Sequence, residues 1–203
     1  MISLNHASNG ISAVCGRIRG VGIVGLCIAL FTPTVFATKT RVTKNPDSGL
    51  LAYSVEDEGI SIELIQLLPD FVRAIYTSHN FPKAEVEDIA SYCVFGTILR
   101  NTSDGKMSYR VADWRSLGED GVERPIKTKT QWIEQWRRAG VNFSWTLLPD
   151  SGDFEVGDWQ QGFTTVKQPR GSAFDLIYSW KLNGEDHVGR FENMRCAPEK
   201  LEK

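Results

Sequence analysis

The chain has 203 residues, 24% of them charged and 41% hydrophobic, and a formal charge of −2. Those values are ordinary for a globular protein and argue against global disorder. Mild acidity without a basic block argues against nucleic acid or an anionic membrane as the main partner.

The N-terminus reads as an address. Arg17 and Arg19 precede an apolar run, Val21–Phe31, and a Pro-containing segment ends in Val35-Phe36-Ala37. A basic region, a short apolar core and a small residue at a cleavage point describe a secretory signal peptide, cut after Ala37. The run is too short for a membrane span, which needs about twenty residues. The competing reading is an uncleaved N-terminal anchor; lipidation at Cys27 has little support, because Leu26 is too large to precede a lipidated cysteine. Residues 1–37 hold two basic and no acidic residues, so their removal takes the charge from −2 to −4. The expected organisation is a signal peptide over 1–37, a flexible segment over 38–50 and one domain over 51–203, in the periplasm or secreted.

Cys15 and Cys27 leave with the leader, and Cys93 and Cys196 remain. In an exported domain two cysteines most simply form one disulfide. Its loop of about 100 residues would contribute roughly 4–5 kcal/mol in the chain-entropy model. No Cys-x-x-Cys is present, so a thioredoxin-like role has no support.

In chain order, Ile60–Leu67 alternates and predicts a strand. Pro69-Asp70 opens a short helix to about Tyr76, and a second starts near Pro82 with Val86, Ile89 and Ala90 on one face. Tyr92–Arg100 and Met107–Trp114 read as a hairpin about the turn Asn101–Lys106. A short strand is expected near Pro125–Lys129, then a helix over Thr130–Ala139 stopped by Gly140. Val141–Leu148, Phe154–Val156 and Gln161–Lys167 read as strands. The best strand is Phe174–Leu182, which Asn183-Gly184 turns back into Val188–Arg195. Many short strands with two or three short helices, and no repeating strand–helix–strand series, favour an antiparallel β-sandwich.

From Tyr92 onward the order of features resembles secreted bacterial immunoglobulin-like domains. The residues that carry this are Asn101-Thr-Ser-Asp104, Asp113-Trp114, Asp120-Gly121, Leu148-Pro-Asp-Ser-Gly152, Pro169-Arg-Gly171 and Phe174-Asp-Leu-Ile-Tyr178. The resemblance implies a mainly β, immunoglobulin-like sandwich that acts in binding or assembly and carries no shared catalytic residues. The helices at 69–91 and 130–139 depart from the usual small sandwich and are places where function can reside.

Chemistry is sparse. His79, His187, Met107 and Met194 are the mature chain's soft or imidazole donors, and such donors suit copper. No His-x-Met or Met-x-Met pair groups them, so His79, His187 and Met194 are weak metal candidates. No Gly-x-Ser-x-Gly occurs, and Glu85, Glu87 and Asp88 read as a solvated helix face. No cofactor and no catalytic residue is expected. Trp132 and Trp136 share a helix face, one turn apart. They either pack the helix onto the sandwich or, rimmed by Arg137 and Arg138, form a platform for a sugar or a partner protein. The leading expectation is a non-enzymatic envelope protein with a protein partner; the alternative is a glycan- or copper-binding module. The oligomeric state is not readable.

Overall fold

The computed structural model describes residues 39–201. The leader reading, with Cys15 and Cys27, lies outside the described residues. Two antiparallel sheets face each other across a shared core, and three helices form a further layer on the outside of the first sheet.

The first sheet is a meander of β1 (Arg41–Lys44), β2 (Leu51–Asp57), β3 (Ile60–Gln66) and β4 (Cys93–Asn101), completed by β9 (Trp159–Val166) beside β4. Its inner face alternates as period-two geometry requires: Tyr53 and Val55, then Ile60, Ile62 and Leu64, then Phe95 and Leu99 are buried. Residues 41–44, expected to be flexible, pair with β2 as an edge strand. The Asn45 side chain makes the turn, accepting from the N–H groups of Asp47 and Ser48 at 3.0 and 2.9 Å. All four β1 residues are exposed, which is why no hydrophobic alternation marks it.

The second sheet centres on β10 (Ala173–Leu182). One edge of β10 pairs with β11 (Glu185–Arg195). The other pairs with β5 (Met107–Arg110) at its C-terminal end and β6 (Arg115–Gly118) at its N-terminal end. A 3₁₀ turn over Val111–Asp113 splits the strand expected over 107–114. β7 (Glu123–Pro125) lies outside β6, and β8 (Ser151–Phe154) outside β5. Phe174, Leu176, Tyr178 and Trp180 point inward as the sequence predicts. Asn183 and Gly184 supply φ values of 52° and 90° for the tight turn.

The expected hairpin between β4 and β5 does not form: β4 pairs with β3 and β9, and β5 with β8 and β10. Asn101 explains this. Its buried amide donates to the carbonyls of Gly105 (2.7 Å) and Glu155 (3.0 Å), and its oxygen accepts from the Ser103 N–H and hydroxyl. The turn is thereby tied to the 155 loop and passes the chain across to the second sheet. Residues 141–148, expected as a strand, run irregularly along the free edge of β9. Phe163 N–H donates to Thr146 at 2.7 Å and Leu148 N–H to Phe163 at 3.0 Å.

Gly162 permits that approach, because a Cβ there would overlap the Leu148 backbone. Gly162→Ala is expected to destabilise the fold by about 3 kcal/mol, the upper end of ordinary overpacking. Urea denaturation checks this; an unchanged midpoint would show that the 146–148 segment yields freely.

Helices α1 (Pro69–Ser78), α2 (Lys83–Ala90) and α3 (Lys129–Arg138) pack together. Pro69 opens α1 as read from the sequence. α3 begins with a reciprocal capping box between Thr128 and Gln131 and ends before Gly140, whose φ is 80°. Val72, Tyr76, Phe81, Val86, Ile89, Trp132, Trp136 and Phe143 form a second core that includes Val94 of β4. Among the described residues no helix is long and apolar enough to cross a membrane.

Cys93 and Cys196 form a disulfide, with Cα atoms 4.9 Å apart and a sequence separation of 103. It joins the start of β4, an interior strand of the first sheet, to the residue that follows β11 in the second.

Candidate functional site

Residues opposite one another on paired strands share a face. On the outer face of the first sheet, Thr43, Ala52, Ile65, Gly96 and Phe163 line up across all five strands. The next row is Arg41, Ser54, Glu63, Ile98 and Gln161; the row after it holds Glu56, Ser61, Arg100 and Trp159. The helical layer covers only the far end, at Val94 and Thr165, where the Trp132 indole N–H donates to Thr165 Oγ1 at 2.9 Å. Among the described residues no helix or strand covers the rest of this face.

Two depressions occupy it. One, of about 560 Å³, lies over Ala52 and Ile65 and is walled by the 45–50 turn on one side and by Phe71 of α1 on the other. The second, of about 370 Å³, lies over Gly96 and Ile98 and is bordered by Trp145 and Phe163. Ile65 separates them. Trp145 is 85% exposed and Trp159, opposite Arg100 on β9, is 54% exposed. These are large apolar areas to leave in water, which makes this face the candidate contact surface.

The residues singled out from the sequence lie elsewhere. Trp132 and Trp136 are fully buried, stacked at 5.6 Å, and hold α3 to α1, α2 and the first sheet. They are packing residues, which corrects the platform reading. Arg137 and Arg138 are exposed, but the aromatic face they were to rim points inward. The metal candidates do not converge. His79 lies at the C-terminal end of α1 against the Phe143 ring, and Met194 is fully buried. His187 stacks on Trp180 and meets Glu58 Oε2 at 2.6 Å. His187 and Met194 are seven residues apart on β11, roughly 20 Å. No group of three or more His, Cys, Asp or Glu among the described residues could hold a metal ion.

No family model matches the chain, and neither a curated protein nor a solved structure does.

One polar cluster stands near the helical layer. Lys127 lies over the Trp132 ring, 3.3 Å from its centre, with Asp88 3.8 Å away. Burial lowers its pKa, and the charges of Asp88 and Glu85 oppose that shift. Gln135 donates to both Glu85 and Asp88, at 2.7 and 2.9 Å. The cluster ties α3 to α2, so its reading is structural.

Sequence reading missed Trp145 because Phe143, Trp145 and Leu147 alternate as one buried strand face would, and missed Trp159 because it stands alone. Ser144 and Thr146 flank Trp145, and Trp159 follows a Gly-Asp turn. Trp159 has no apolar residue two places to either side, and that isolation was its available signal, since it has no strand face of the core to join.

Proposed function

We propose that the chain is an exported, non-enzymatic binding protein that works by protein–protein contact in a bacterial cell envelope, on an immunoglobulin-like frame. A leader-type N-terminus and a long-range disulfide support export. Two facing antiparallel sheets support the frame; the simple meander β1–β2–β3–β4 means that the likeness rests on those layers and not on strand order. The observation that carries the contact is the uncovered face of the first sheet, with Ile65, Ile98 and Phe163 between the exposed Trp145 and Trp159. Exposed aromatic anchors beside an apolar strip are what interface hot spots are made from.

The test is site-directed crosslinking in envelope extract from a residue on this strip, with a Trp145→Ala/Trp159→Ala double variant. Both side chains are exposed, so the variant should melt within a degree or two of the parent. It is expected to lose at least tenfold in crosslinked partner. An undiminished adduct removes this face from the proposal.

A second reading is favoured by the same tryptophans: with Arg100 and Gln161 alongside, they suit stacking on a sugar ring. Trp emission titrated with cell-wall sugars separates the two; a flat titration retires the glycan reading. Copper gains no support, given the scattered donors.

A further inference from the structure

We infer that the 560 Å³ trough between the 45–50 turn and α1 binds a free long-chain carboxylate. Nothing above assigns this site a ligand, and the inference stands whether or not the Trp145–Trp159 strip meets a protein.

Size and lining come first. The volume falls within the range of small-molecule sites. Leu50, Leu51, Ala52, Ile65, Leu67 and Phe71 supply the walls and floor. Ala52 makes the floor low, and Phe71, 52% exposed, stands at the edge as an aromatic wall still in contact with water.

The charges have a direction. Lys44 lines the trough, its stem lying against Gly49 of the turn. Lys39 and Arg41 stand on the same segment. None of these three cations has a carboxylate within 4 Å among the described residues. The acids nearby are Asp47 on the exposed turn and Glu63 in the lining. Glu63 is two strands across from Lys44 and about three residues along, on the order of 14 Å away. A ligand with one anionic end and an otherwise apolar body matches that arrangement, with its head at Lys44 and its tail over Ala52 and Ile65.

Other occupants match less well. The floor is the middle of a sheet, whose N–H and C=O groups are consumed by β1–β2–β3 pairing. An extended peptide would surrender its own backbone hydrogen bonds to water and find none there. An alkyl chain has none to lose.

Calorimetric titration of the purified protein with octanoate, decanoate and dodecanoate, each below its micelle concentration, tests the site. Binding is expected at one per chain, tightening about fourfold per added methylene until the trough is full. Lys44→Glu should weaken dodecanoate about fivefold and leave dodecanol unchanged. Ala52→Phe should abolish both. Trp145→Ala should change neither, which keeps this result separate from that of the partner contact. Lys44→Glu lies on an exposed edge strand and does not threaten the fold, so it decides the matter even where Ala52→Phe misfolds. Affinity that ignores chain length, or a Lys44→Glu protein that holds dodecanoate as tightly as the parent, overturns the assignment.

Discussion

Removing the Cys93–Cys196 bridge is expected to lower the melting temperature by roughly 9–19 °C. The bridge closes a loop of 103 residues. In the chain-entropy model a crosslink of that span contributes about 4.7 kcal/mol by restricting the unfolded chain. For a domain of this size each kcal/mol moves the midpoint by about 2–4 °C. The position strengthens the expectation. Cys93 begins β4, an interior strand of the first sheet, and Cys196 follows the strand that closes one side of the second. Both side chains are buried, so a serine replacement would add an unsatisfied hydroxyl and confuse the measurement. Cys93→Ala/Cys196→Ala is the cleaner variant. Scanning calorimetry of that variant with and without reductant should give one low midpoint, while the parent falls toward it only when reduced. A variant that melts within two degrees of the oxidised parent would mean that the unfolded chain gains little freedom on losing the bridge.

The disulfide was legible in the sequence because the leader reading and the cysteine number left few choices. β10 was legible because Phe174, Leu176, Tyr178 and Trp180 alternate without interruption and Asn183-Gly184 forces a turn. α1 and α3 announced their ends through Pro69 and Gly140. What stayed hidden depended on partners far away in sequence. The 101–106 turn carries hairpin composition, yet Asn101 spends its amide on Glu155, and no local pattern reports that. An amphipathic helix shows that Trp132 and Trp136 share a face but not that a sheet end waits to cover it. β1 was invisible because an exposed edge strand has no buried side to alternate with. β2 did carry a period-two signal in Tyr53 and Val55, which the polar segment before it obscured. The candidate contact face was the least legible part. Among the described residues no layer covers Ile65 and Ile98, and only the placement of the helices decides that.

Raising the pH is expected to unfold the protein in one steep step above pH 10, in which its phenols ionise together. All five tyrosines have raised pKa values, and burial is the first cause in every case. Tyr76, Tyr109 and Tyr178 are displaced furthest and are no more than 2% exposed. Neighbouring acids add to the shift in two of them. Tyr178 donates to Asp57 Oδ2 at 3.3 Å, so a phenolate there would face a carboxylate, and the charge of Asp150 bears on Tyr109 in the same sense. The sign follows from which state binds the proton more tightly. Here it is the folded state, so the stability these groups lend is fully present below their ordinary pKa of about 10 and drains away as the pH rises past it. Each pH unit costs about 1.4 kcal/mol per tyrosine, or about 4 kcal/mol for these three. A domain with 5–15 kcal/mol to lose cannot sustain that for more than a few units. Phenolate absorbance and far-ultraviolet circular dichroism should therefore change together, with only the half-buried Tyr92 free to ionise earlier. Tyr178→Phe should make the transition shallower. Phenolate signal from several tyrosines near pH 10, with dichroism still native, would show that water reaches the space between the two sheets.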